Sequence, residues 1–102
     1  MADGYTVTVS KIAAGMLTAH VAFLARVSPE AAVKLRALLI QEIRALAVMP
    51  ESNPPFFCEG IPANKYRKKV IDRRYLVIFR VIGSDVFVDY VVDCRQDYRF
   101  LL

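Results

Sequence analysis

A chain of 102 residues with 56% hydrophobic side chains can build one compact core and has no length for a second, so residues 1–102 are expected to form a single domain. The mean hydropathy of +0.35 raises the membrane question, but the longest apolar stretch, Ile12 to Ala25, contains Thr18 and His20 and falls short of the roughly 18 to 20 residues a spanning helix needs. The net charge of +4 is concentrated: between Lys65 and Arg80 stand Lys65, Arg67, Lys68, Lys69, Arg73, Arg74 and Arg80 against Asp72 alone, a local +6 that leaves −2 for the rest, which points to phosphates or an acidic partner rather than to an evenly solubilised surface.

Tyr5-Thr6-Val7-Thr8-Val9-Ser10 alternates with period two and is rich in β-branched residues, which predicts a short first strand. Ser10 then suits the N-cap of a helix from Lys11 to about Val27. On that helix Ile12, Met16, Ala19 and Phe23 share one face, with Leu17, Val21 and Leu24 close beside them. So wide an apolar arc predicts cover on more than one side, by the sheet and by a partner chain. His20, the only histidine, is read as a helix-surface or subunit-contact residue. In Val27-Ser28-Pro29-Glu30, Ser28 fits the cap, Pro29 the first helical position and Glu30 the positive end of the helix dipole. The second helix is expected to reach about Val48, with Ala32, Leu35, Leu39, Ile43 and Leu46 forming its buried stripe. A tight turn between the two makes an αα-hairpin.

Pro50, Pro54, Pro55, Gly60 and Pro62 mark an irregular stretch of about fifteen residues, which Phe56 and Phe57 are expected to pin to the domain. The final third predicts three strands, Lys65 to Ile71, Arg74 to Ile82 and Val86 to Val92, joined by Asp72-Arg73 and by a turn at Gly83-Ser84-Asp85, where Gly83 suits a positive φ. On the middle strand Tyr75, Val77, Phe79 and Val81 should meet the helices, leaving the charges on the other face. Cys58 and Cys94 lack CxxC spacing; reduced structural thiols are expected, with no metal and no cofactor. The opening Met1-Ala2-Asp3-Gly4 leads straight into strand residues, which predicts a cytoplasmic protein without a secretory signal.

The order strand-helix-helix-strand-strand-strand, together with Lys65-Tyr66-Arg67-Lys68-Lys69-Val70, Arg74-Tyr75-Leu76-Val77-Ile78-Phe79 and Tyr90-Val91-Val92-Asp93-Cys94-Arg95-Gln96-Asp97-Tyr98, resembles the RelE/ParE superfamily of small bacterial toxins from type II toxin-antitoxin pairs. The element order covers nearly the whole chain; the specific part is residues 65 to 98. The resemblance implies an α+β fold with the αα-hairpin packed on a mainly antiparallel sheet, and one of two activities: cleavage of mRNA in the ribosomal A site, or poisoning of DNA gyrase.

Carried over residue by residue, Arg67 and Lys69 match the family's paired basic positions, Arg95 the basic residue after the last strand, and Tyr98 the terminal aromatic that stacks on a base or handles a proton. Glu59 lies roughly where certain ribonuclease members keep a general base. Two positions depart from the pattern: Asp97 stands where some members place a catalytic His, and Leu76 replaces the Arg that holds the scissile phosphate in RNA-cleaving members. Arg80, on the same face as Leu76 and about 13 Å along the strand, is the nearest substitute. Attack of a ribose 2′-OH on its phosphate needs a proton acceptor, a proton donor and cations around the phosphoryl group, which Arg and Lys supply without a metal.

The leading expectation is therefore a toxin acting on the ribosome and mRNA as an endoribonuclease that needs no metal. Arg67, Lys69, Arg80 and Arg95 would hold RNA phosphates on the sheet face opposite the helices, and Arg95, Tyr98, Lys69 and Glu59 would carry the chemistry. The alternatives are a gyrase poison without enzymatic activity and an inactive interaction module derived from a toxin. A cognate antitoxin with an amphipathic, acidic segment is the expected partner, and a second copy of the chain another; no membrane is expected.

Overall fold

The computed structural model describes residues 4–95 of the chain. In chain order these form β1 (Thr6–Val9), α1 (Lys11–Ala25), α2 (Pro29–Arg44), two short 3-10 turns (Ala45–Ala47 and Pro50–Ser52), β2 (Pro55–Phe56), β3 (Tyr66–Ile71), β4 (Tyr75–Ile82) and β5 (Asp85–Asp93). The five strands make one sheet in the order β1-β5-β4-β3-β2. Every neighbouring pair is antiparallel except β1 with β5, because the αα-hairpin carries the chain from β1 across the sheet. The α+β architecture and its mainly antiparallel sheet are as expected. β2, within the proline-rich stretch, adds a strand that the alternation did not reveal: only Phe56 and Pro55 pair with Tyr66 and Arg67.

Both helices start where their caps predict. Ser10 Oγ accepts the Ala13 amide at 2.9 Å and Ser28 Oγ that of Ala31 at 3.2 Å. α2 places Ala32, Leu35, Leu39 and Ile43 in the core and Leu46 follows in the 3-10 turn, so the stripe with spacing three and four is the buried one. α1 differs from its expectation. Ile12 and Phe23 are each 62% exposed, and Ala13 alone is fully buried; the packed side is Met16, Leu17, Val21 and Leu24.

The cause lies at the sheet edge. β1 pairs with β5 only from Asp85 to Val88, and α1 covers the next stretch of β5 from the side. The Ser10 amide donates to the Val88 carbonyl at 2.9 Å, Ser10 Oγ to that of Asp89 at 3.2 Å, and His20 Nε2 to that of Val91 at 2.8 Å. His20 also lies against Tyr75, with ring centroids 5.2 Å apart. The half-buried histidine thus caps a β5 carbonyl from within the fold instead of standing free on the helix surface.

The core between hairpin and sheet is built on Leu35, Leu39, Ile43, Val77, Phe79 and Val91, with Val81 partly buried at its margin. A second, smaller cluster of Phe56, Tyr66, Leu76, Ile78 and Val92 lies on the other sheet face. Of the two loop phenylalanines, Phe56 is buried there, whereas Phe57 is 71% exposed.

Candidate functional site

Which face of the sheet receives the basic residues depends on one residue in the β3–β4 turn. With a two-residue Asp72-Arg73 turn, Ile71 would oppose Arg74, and counting back would set Arg67 opposite Ile78 and Lys69 opposite Leu76, away from the helices. In the structure Asp72 and Arg73 both take positive φ, 55° and 57°, and the Arg74 amide closes on the Ile71 carbonyl at 3.2 Å. The ladder nevertheless starts at Ile71↔Tyr75, which leaves Arg74 in the turn and sets Lys69 opposite Val77 and Arg67 opposite Phe79. A register shift of one residue moves every side chain of a strand to the other face. Arg67 and Lys69 do share a face, but it is the helix-bearing one.

There both cations are used by the fold. Arg67 Nη1 donates to the Asn53 and Glu51 carbonyls at 2.7 and 3.2 Å, which ties the proline-rich loop to β3. Lys69 Nζ donates to the Glu42 carbonyl of α2 at 3.0 Å and pairs with the Glu42 carboxylate at 3.1 Å. Arg80 lies on the opposite face. Arg95, beyond β5, grips Asp93 through Nε at 3.1 Å and Nη2 at 3.0 Å, while Arg74 Nε reaches the same carboxylate at 3.2 Å. Hydrogen bonds from Arg95 above all, and then from Arg74, hold the Asp93 carboxyl well below the usual carboxylate range. The single positive surface expected from Arg67, Lys69, Arg80 and Arg95 is therefore not formed. Glu59 is exposed on the loop between β2 and β3. Tyr98 and Asp97 lie outside the described residues.

The open face, opposite the helices, is organised around different side chains. Leu76, which the sequence resemblance sets against the phosphate-holding Arg of RNA-cleaving members, is only 7% exposed and packs with Phe56, Tyr66, Ile78 and Val92. Beside this apolar cluster, Asp89 accepts Arg80 Nε at 2.7 Å and Nη2 at 3.4 Å. Burial first, and then the Asp89 carboxylate, push the Tyr66 phenol up to about 12. The Arg80 guanidinium also lies over the Phe87 ring, 5.2 Å from its centroid, and Tyr66 meets Tyr90 edge to face at 6.2 Å. Lys68, opposite Ile78, is the cation that β3 contributes to this face.

Tyr66, Lys68 and Asp89 were not among the residues singled out from sequence. Tyr66 and Lys68 would have emerged from the correct hairpin register. Asp89 owes its position to a bulge, Ile78 pairing with Tyr90 but Phe79 with Val88, which no local pattern in β5 announces.

No protein-family model and no curated relative matches the chain. A solved structure described as the chromosomal ParDE TA system from P. aeruginosa contains a chain that superimposes on this one with a TM-score of 0.73, over 90% of this chain and 98% of that one, at 18% sequence identity. Likeness at that identity concerns the path of the backbone. The two chains share an α+β fold, which in this one is two helices on a five-stranded mixed sheet.

Proposed function

We propose that the protein is the toxin of a toxin-antitoxin pair, and that it disables a protein target, DNA gyrase, by binding rather than by cutting RNA. The fold shared with the ParDE chain supports the toxin reading. The observation that carries the mechanism is Leu76, buried in an apolar cluster where RNA cleavage needs a cation against the phosphoryl charge. Arg67 and Lys69 cannot replace it, because their donors are committed to carbonyls and to Glu42 on the other side of the sheet. The sequence-based preference for ribosome-dependent cleavage thus gives way to the gyrase alternative.

An antitoxin partner is supported by a groove of about 390 Å³ between β1 and the hairpin, floored by Val7, Val9, Leu17 and Ile40 and flanked by Arg36 and Arg44. Its apolar floor and basic rim suit an acidic amphipathic segment; a second copy across a two-fold axis would set arginine against arginine. Among the described residues no helix is long and apolar enough to cross a membrane, and the target places the protein in the cytoplasm.

The test is induced expression in a bacterium, with plasmid supercoiling and the mRNA ends on ribosomes measured in the same culture. Relaxed plasmid with unchanged mRNA ends is the expected result. New ends in the ribosomal A site with normal supercoiling would overturn the mechanism. If the protein encoded by the adjacent reading frame neither co-purifies nor restores growth, the toxin-antitoxin assignment falls.

A further inference from the structure

α1 leaves half of its surface open. Its packed side is Met16, Leu17, Val21 and Leu24, with His20 turned to the Val91 carbonyl. The opposite side carries Ile12, Gly15, Ala19, Ala22 and Phe23, all exposed, and helical period sets them on one stripe. No charged residue stands between Lys11 and Arg26, and the Arg26 guanidinium lies over the Phe23 ring at the stripe's end, 5.9 Å from its centroid. Ala14 and Thr18 face the other flank, where they line the groove assigned above to the antitoxin.

Gly15 is the residue that the fold of a single chain does not explain. Glycine inside a helix is unfavourable relative to alanine. Gly83 answers a turn with a positive φ of 59°, but Gly15 has no such φ, and a Cβ built on it would meet no atom of the described residues within 4 Å beyond its own helix backbone. The missing side chain makes room for something outside the chain. Where two helices cross, the side chains at the contact set how closely the axes approach, and a glycine there permits the closest approach.

The occupant follows from charge. Each copy of the chain carries +4, so two copies repel at their basic surfaces, including the groove rim of Arg36 and Arg44, but not along a stripe without charge. An acidic or phosphate-bearing partner finds nothing there to pair with. We propose that the chain forms a two-fold dimer through the outer stripe of α1, with Gly15 and Ala19 at the crossing and Ile12 and Phe23 on its flanks. A steep crossing, near −50°, carries the Lys11 and Arg26 ends of the two helices apart. A helix of 15 residues is about 22 Å long, and two such faces remove on the order of 1,000 Å² from water, at the lower limit of specific interfaces, so the dimer is weak. The open sheet face stays free in it, and the proposal does not depend on the gyrase reading.

The experiment is sedimentation equilibrium of the purified full chain, with a thermal melt of each variant in dilute solution. The wild type is expected to dimerise with a Kd of about 10 to 100 µM, unchanged or tighter as NaCl rises from about 0.05 to 0.5 M, because salt screens the repulsion between two basic chains. Gly15→Leu and Ala19→Glu should each weaken the dimer about ten-fold or more, through overpacking and through burial of a carboxylate. Gly15→Ala keeps the test open should those variants fail to fold: it should raise the thermal midpoint of the dilute monomer while weakening the dimer about three-fold, a split that a glycine serving only its own chain would not show. Val70→Glu, at a position 52% exposed on the other side of the sheet, should change the Kd by about two-fold at most. A monomer at about 500 µM, a dimer indifferent to the α1 variants, equal loss with Val70→Glu, or association that salt weakens would each overturn the proposal. So would a chain that is monomeric alone but loses the protein of the adjacent reading frame on Ala19→Glu, which would give the stripe to the antitoxin.

Discussion

The two faces of the sheet treat their cations in opposite ways. On the helix side, Arg67 and Lys69 spend their donors on backbone carbonyls and on Glu42, so two of the most prominent basic residues in the sequence hold the loop and α2 in place. On the open side, Arg80 meets the Asp89 carboxylate at a solvent-accessible spot, next to the apolar cluster that buries Leu76. A local charge of +6 in the sequence is thus not a +6 surface. Charge counted along a strand becomes charge on a face only once the register is known.

The largest expected effects test which face carries the core. Phe79→Ala, on the helix side, should cost about 3 to 5 kcal/mol and Ile78→Ala, on the open side, about 2 to 4 kcal/mol, through lost burial and the cavities left behind; denaturant melts measure both. Both side chains are fully buried, but Phe79 belongs to the larger cluster. A larger loss at Ile78 would mean that the open-face cluster dominates stability.

Asp93→Asn should cost about 1 to 2 kcal/mol at neutral pH, since it removes charge-assisted hydrogen bonds. The Asp93 carboxyl is depressed in the folded state. The stability it contributes is therefore present above the unfolded carboxyl's pKa, near 4, and is lost as the pH falls through the folded value. Chemical melts from pH 7 downward should show the gap between wild type and variant closing only below about pH 4; a constant gap would mean that Asp93 acts through packing.

Lys69→Met should cost about 1 kcal/mol, the scale of one partly exposed ion pair with its hydrogen bond, as a denaturant melt would measure. An unchanged midpoint would mean that the Lys69–Glu42 contact does not hold α2 to the sheet. The smallest effect sits in the turn. Arg73 takes a left-handed φ of 57°, and Arg73→Gly should raise stability by about 0.5 kcal/mol, strain relief exceeding the added unfolded-state entropy, which a shift in thermal midpoint would register.

Much of the fold was legible because its signals are local. Ser10 and Ser28 announce helix starts by chemistry that acts within three residues, the α2 stripe follows from helical period, and Gly83 marks its hairpin with the positive φ observed. The site was less legible because its determinants are relative. Arg67 and Lys69 were correctly placed on one face, but the face was decided by whether Arg74 belongs to the turn or to β4. The Arg80–Asp89 contact depends on a bulge, a mismatch between two strands that neither strand encodes alone. The exposed Ile12 and Phe23 followed a helical stripe faithfully, yet α1 sits at the edge of β5 rather than squarely over the sheet, so a different arc was packed.

The most direct measurement of the binding mechanism is a titration of purified full-length protein into a gyrase supercoiling reaction on relaxed plasmid, with a translating-ribosome reaction run beside it as the RNA readout. If the protein disables gyrase by binding, supercoiling is lost as the protein approaches stoichiometry with gyrase while the mRNA stays intact. Undiminished supercoiling at excess protein, together with mRNA cut on the ribosome, would contradict that mechanism.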